Sequence, residues 1–233
     1  MRITLLSDTH TKHKHVHNKG LGDLPGGDLI IHAGDISSMG YKHEVVEFAK
    51  WFNQLDYEHR VFIAGNHDWG FQNNVDQIME SISVYEGITY VEDVTNTIKH
   101  GDTDINIYGT PWQPEFCNWA FNLPKNGEEL ISKWEAIPLD TDILVTHGPA
   151  FGILDTVEGR RSDHLGCELL TERIAMVKPK IHVCGHIHTG YGYYFNGETH
   201  FFNAAVLNER YTYAQKPFTF DWDPITNEIN FEI

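Results

Sequence analysis

Five short stretches carry side chains that could hold a metal ion: Asp8-Thr9-His10, Gly34-Asp35, Gly65-Asn66-His67-Asp68, His147-Gly148 and Gly185-His186-Ile187-His188. Carboxylates, imidazoles and an amide oxygen form a mixed hard and borderline donor set. Such a set suits manganese, iron, zinc or cobalt, and magnesium less well. A thiolate set would instead point to structural zinc. The donors outnumber what one ion needs. Two ions about 3.5–4 Å apart, sharing one bridging carboxylate, would use them all. Taken singly, Asp8 could cap a strand end and Asn66 could sit in a turn beside Gly65. Five such stretches in one chain are better explained by chemistry than by structure.

Each stretch follows a short apolar run. Arg2 to Leu6, Leu29 to His32, Val61 to Ala64, Ile143 to Thr146 and Ile181 to Cys184 read as strands covered on both faces. Ligands of open α/β sheets gather at the carboxyl ends of strands, so the five tips are expected to converge. Helical spacing is found in His43 to Leu55, Val75 to Ile82, Glu128 to Ile137 and Cys167 to Val177, the last stopped by Pro179. Strands alternating with helices predict an α/β sheet with parallel portions. The last forty residues change character. Tyr191 to Phe195 and Thr199 to Asn203 flank the turn signal Asn196-Gly197, and Pro217 to Trp222 and Glu228 to Ile233 flank Asp223-Pro224. No linker or repeat is visible, and one domain over residues 1–233 is expected.

Composition narrows the function. The 233 residues include 17 basic and 33 acidic ones, for a formal charge of −16. Long-range repulsion of phosphate backbones argues against long nucleic acid as a partner. A small anionic substrate is still compatible, because bound cations invert the local field. The three cysteines, Cys117, Cys167 and Cys184, form no CxxC pair and fit a reducing compartment. No apolar run is long enough for a membrane span or a signal peptide, so a cytoplasmic protein without a membrane partner is expected.

In order and type, the five motifs resemble the calcineurin-like metallophosphoesterase superfamily, whose signature is DxH, GD, GNH[DE], [GT]H and GHxH. The chain is most similar to the metallophosphoesterase-domain (MPPED) branch, at Ile107 to Pro124, Thr146 to Pro149, Gly166-Cys167 and His182 to Tyr191. The resemblance implies an α/β metallophosphoesterase-type sandwich of two mixed β-sheets flanked by helices. It implies two divalent metal ions, manganese first, with iron, zinc, cobalt or magnesium as alternatives. Asp8, His10 and His188 would hold one ion, and Asn66, His147 and His186 the other. Asp35 would bridge them. His67 would lie beside the substrate as a catalytic residue, with Asp68 orienting it. Some MPPED members lack the first histidine of GHxH; His186 is present here, so a full second site is expected. The implied activity is hydrolysis of a phosphodiester, a small or cyclic nucleotide, with water activated by the ions as nucleophile. A phosphomonoesterase or nuclease on the same core, or a silent metal-binding scaffold, is the alternative.

Other residues have a bland and a functional reading. His13, His15 and His17 are expected in a solvated loop. His32 and His182 read as hydrogen-bonded core residues, and His43, His59, His100, His164 and His200 as surface or turn positions. Trp112, Phe116, Trp119 and Phe121 either pack a flap or stack a nucleobase, or serve a homodimer. Arg160 and Arg161 could grip phosphate. Cys167 and Cys184 read as buried thiols.

Overall fold

The computed structural model describes residues 1–15, 24–157 and 160–231; at residues 15 and 160–162 it describes the backbone alone. Along the chain run β1 (Arg2–Leu6), β2 (Gly27–Ala33), α1 (Lys42–Asn53), β3 (Tyr57–Ile63), α2 (Trp69–Ile82) and β4 (Thr89–Tyr90). A hairpin of β5 (Val94–His100) and β6 (Thr103–Thr110) follows, then the short β7 (Gln113–Pro114) and β8 (Asn122–Leu123). Next come α3 (Glu128–Glu135), β9 (Ile143–Thr146), β10 (Thr156–Val157), β11 (Arg160–His164) and α4 (Glu168–Val177). The order closes with β12 (Ile181–Cys184), β13 (Gly192–Phe195), β14 (His200–Asn203), β15 (Phe218–Trp222) and β16 (Ile229–Phe231).

The strands build two six-stranded mixed sheets. One has the order β16-β15-β1-β2-β3-β4, with β1 to β4 parallel and β15 antiparallel to β1. The other has the order β13-β14-β12-β9-β6-β5, with β14, β12, β9 and β6 parallel. Successive side chains of a strand point to opposite faces. Ile3, Leu5, Leu29, Ile31, Val61 and Ile63 therefore meet Ile105, Ile107, Ile143, Val145, Ile181 and Phe202 of the facing sheet in one core. The alternate residues Leu6, Ile30 and Phe62 pack outward on Val45, Phe48 and Phe52 of α1 and on Ile78 of α2. Tyr108, Leu144 and Phe201 do the same against Leu130 and Trp134 of α3 and Leu170 and Ile174 of α4. The result is a helix–sheet–sheet–helix sandwich. Burial on both faces explains why the strand runs are apolar without alternation.

Several elements differ from expectation, the short β4, β7, β8, β10 and β11 among them. Helix α2 begins at Trp69, ahead of the expected Val75, because Asn74 has φ −150° and interrupts the apolar rhythm. The β5–β6 hairpin was not anticipated: β5 is an edge strand in which only Ile98 is buried, so its pattern is polar. Among the described residues no helix is long and apolar enough to cross a membrane.

Candidate metal centre

The parallel register of β1, β2 and β3 ends these strands side by side and aligns the loops that follow. Asp8 N–H donates to the Gly34 carbonyl at 3.0 Å, and His10 N–H to the Asp35 carbonyl at 3.0 Å. His67 N–H donates to Asp35 Oδ1 at 2.8 Å. In the other sheet Gly185 N–H donates to the His147 carbonyl at 2.9 Å. The two sheets are joined at their tips where His186 N–H donates to Asp8 Oδ2 at 3.0 Å. All seven expected ligand residues thus meet in one place.

The side chains form two overlapping groups. His10 Nε2 lies 3.9 Å from Asp8 Oδ1, and His188 Nε2 lies 3.3 Å from the same oxygen. Asn66 Oδ1 lies 2.9 Å from His147 Nε2 and 2.7 Å from His186 Nδ1. Asp35 Oδ2 reaches both groups, at 3.6 Å from His10 Nε2 and 3.3 Å from His147 Nε2. Backbone carbonyls set the rings. His147 Nδ1–H donates to Ala33 O at 2.9 Å and His188 Nδ1–H to Asn208 O at 3.0 Å. A carbonyl only accepts, so Nδ1 carries a hydrogen in each ring and Nε2 is the nitrogen that faces the cluster, the one a metal ion would displace a proton from or bind. Both His10 ring nitrogens are buried without a hydrogen-bond partner. Two carboxylates and an amide oxygen crowded in a buried site require positive charge beside them, which protonated imidazoles can supply and divalent cations fit as well.

The proton equilibria carry the same signature. Burial alone would push His147 and His188 down, but Asp35 acts on the first and Asp8 on the second to hold each at about 9. Burial lowers His10 and His186 to about 4. Burial would raise Asp8 and Asp35, yet the neighbouring imidazoles keep both well below the usual carboxylate range.

The backbone is strained at these positions. Asp8, His10, Asp35 and His186 have φ of 56°, 41°, 53° and 66°, a left-handed region that costs an L-residue roughly 1–2 kcal/mol. Strain of this kind persists where the surroundings over-determine it, as at functional sites. Two glycines let the groups close. A Cβ on Gly185 would strike Asp8 Oδ2 and Ser7 Oγ, and one on Gly65 would strike Asp35.

Residues 1–190 match the family described as calcineurin-like phosphoesterase. The chain belongs to the calcineurin-like phosphoesterase family. It is 37% identical over 237 residues to the human metallophosphoesterase domain-containing protein 1, covering 94% of this chain and 70% of that one. A UPF0046 protein of Caenorhabditis elegans is 36% identical over 86% of this chain and 56% of its own length. These likenesses agree with an MPPED-like branch. Phosphopantetheinyl hydrolase of Mycobacterium tuberculosis shares the fold, at TM-score 0.56 and 15% identity over 90% of each chain. So does the Thermus thermophilus protein TT1561, at TM-score 0.61 and 12% identity over 99% and 97%. Family membership and the ligand groups together make this a metal-dependent phosphoesterase.

In this phosphoesterase His67 borders the ligands. Its Nδ1–H donates to the Ser38 carbonyl at 2.9 Å, which leaves Nε2 as the nitrogen available to a ligand. Its ring stacks on Trp119, with centroids 4.2 Å apart, and meets the edge of His10 at 4.6 Å. Asp68 makes no bond to the His67 side chain; its carboxylate bonds elsewhere. Its Oδ2 accepts from Gly65 N at 2.8 Å and Ile36 N at 3.2 Å, and its Oδ1 accepts from the backbone N–H and hydroxyl of Ser37. Burial and the nearby Asp35 push Asp68 up to about 7 against these donors. It therefore shapes the loop whose next residue, Ser38, holds His67.

His10, Asp35, Asn66, His186 and His188 floor a cavity of about 500 Å³, with Asp8 and His147 buried beneath. Of the four aromatic candidates, Phe116 and Trp119 line it, whereas Phe121 is buried and Trp112 packs on the core with its indole N–H on Asp93. Tyr211 also lines it, with its ring 4.8 Å from His10 and 5.7 Å from His188. Neither Tyr211 nor Ser38 was anticipated; both lie in loops after strand tips, and that position is their one sequence signal. Two histidine readings need correction. His13 is buried against Phe48 and Trp51, not solvated; the His15 side chain and His17 lie outside the described residues. His200 is buried within β14, its Nε2 2.8 Å from the Asn227 carbonyl. His164 is exposed as expected and also lines the cavity. The Arg160 and Arg161 side chains are likewise outside the described residues. His32, His182, Cys167 and Cys184 are buried as expected.

Proposed function

We propose that this protein hydrolyses phosphodiesters of small nucleotides, cyclic ones included, using two divalent cations. The observation that carries the reading is the joining of two donor groups through Asp35 at the floor of an aromatic-walled cavity. Asp8, His10 and His188 would hold one ion, Asn66, His147 and His186 the other, and Asp35 both. When bound, the ions lower the pKa of water and neutralise charge on the phosphoryl oxygens. Manganese is the ion proposed first, and the mixed donor set accepts iron, zinc or cobalt as well.

The chain's own residues do the rest. His67, fixed by Ser38, Trp119 and the Asp35 contact to its backbone, can present Nε2 to a phosphoryl or leaving oxygen and hold a proton there. Trp119, Phe116 and Tyr211 offer faces to a nucleobase. Among the described lining residues Lys125 is the one lysine or arginine, against Glu115 and Glu209. The free cysteines agree with a cytoplasmic location.

Initial rates of the manganese-loaded protein on bis(p-nitrophenyl) phosphate and on p-nitrophenyl phosphate test this. Faster cleavage of the diester, followed by turnover of 2′,3′- or 3′,5′-cyclic AMP, is expected. Faster cleavage of the monoester would make it a phosphatase. No turnover of any of these with both ions bound would leave a scaffold.

A further inference from the structure

A second carboxylate–imidazole arrangement faces the same cavity, apart from every residue assigned to a metal. Asp155 is fully buried. Its Oδ2 accepts the backbone N–H groups of Gly152 and Gly166, both at 2.9 Å. Its Oδ1 lies 2.6 Å from His164 Nδ1. The strap from His164 to Cys167 is fastened further: Leu165 N–H donates to Asp155 O at 3.1 Å and Cys167 N–H to Pro149 O at 3.0 Å. His164 is thus held by the segment that continues directly from His147-Gly148. An ionised carboxylate only accepts, so His164 Nδ1 carries the hydrogen and Nε2 is the ring nitrogen left for a ligand. The His164 side chain is 38% exposed and lines the cavity with His67 and Trp119.

The backbone donors on Oδ2 suffice to hold a buried carboxylate, as they do at Asp68. The additional bond from a half-exposed imidazole to Oδ1 adds little stability; its consequence is the orientation of that ring. We propose that His164 is a specificity residue whose Nε2 accepts a hydrogen bond from a hydroxyl on the organic half of the phosphoester, and that Asp155 is its positioning residue. The assignment rests on the cavity being the substrate site proposed above.

Calorimetric binding to the manganese-loaded protein tests it, with adenosine monophosphate and inorganic phosphate as probes. Wild type should bind the nucleotide more tightly than phosphate. His164→Ala should weaken the nucleotide by about tenfold, the size of one lost hydrogen bond, and leave phosphate unchanged. Asp155→Asn should weaken the nucleotide in the same sense, and His164→Gln should restore part of it. Should the alanine variant unfold, the glutamine variant carries the comparison. Equal weakening of both probes, no weakening of either, or a wild type that does not prefer the nucleotide would overturn the assignment. A wild type that cuts no diester yet loses nucleotide affinity on mutation would refute the proposed reaction and keep His164 in its role. Diester cleavage with nucleotide affinity indifferent to His164 would do the reverse.

Discussion

Replacing Asp68 by asparagine tests whether this carboxylate builds the site through the backbone. Each carboxylate oxygen receives two donors: Gly65 N–H and Ile36 N–H on one, Ser37 N–H and the Ser37 hydroxyl on the other. An amide keeps a single accepting oxygen. With its NH₂ toward Gly65 and Ile36, two backbone donors lose their acceptor, at about 1–3 kcal/mol each. With its NH₂ toward Ser37, the hydroxyl can rotate to accept and one backbone donor is orphaned. The second orientation wins, and Asp68→Asn should destabilise the protein by about 1–3 kcal/mol. The activity loss should be larger than that of a remote core change, because Ser38, the next residue along, fixes His67 Nδ1 at 2.9 Å. A displacement near 1 Å at a catalytic group can cost about a hundredfold, so a fall in kcat of roughly ten- to a hundredfold is expected. Urea unfolding of the metal-free protein and kcat on bis(p-nitrophenyl) phosphate measure the two quantities. An unfolding free energy within about 0.5 kcal/mol of wild type, with kcat unchanged, would refute the reasoning.

Three further outcomes follow from the geometry. His67→Ala should lower kcat by about a hundredfold or more with metal content unchanged; retained turnover would remove His67 from the mechanism. Gly185→Ala drives a methyl into Asp8 Oδ2 and Ser7 Oγ, so metal analysis should find at least one ion lost, alongside about 1–3 kcal/mol of overpacking. His182 is buried, its Nε2 2.8 Å from Thr146 Oγ1, and burial lowers it to about 3. Below about pH 6.5 the unfolded chain takes up a proton that the folded one refuses, so stability falls as pH drops toward 3 and is untouched above 6.5. His182→Gln should flatten the wild-type dependence by about 1.4 kcal/mol per pH unit between pH 6 and 4, read from urea unfolding; parallel curves would count against a neutral native His182.

The apolar strand runs and the motifs at their tips were legible because burial on both faces leaves an uninterrupted signal, and because Asp8, Asp35, Asn66 and the histidines sit at the register ends of parallel strands. What stayed hidden was set by three-dimensional neighbours. The edge strand β5 buries only Ile98 and so resembles a loop. Asp68, next to His67 in sequence, turns its carboxylate toward residues 36 and 37, a contact that the packing of β2 against β3 creates. His164 looks like a surface residue until Asp155, nine positions earlier, folds back on it. Tyr211 reaches the site because Asn208, in the same loop, receives His188 Nδ1–H.

The most direct test of a two-ion hydrolytic centre is to strip the protein with chelator and titrate manganese back while following hydrolysis of bis(p-nitrophenyl) phosphate. The account predicts activity that is absent in the stripped protein and reaches its plateau at two equivalents per chain. Full turnover without a divalent ion, or a plateau at a single equivalent, would contradict it.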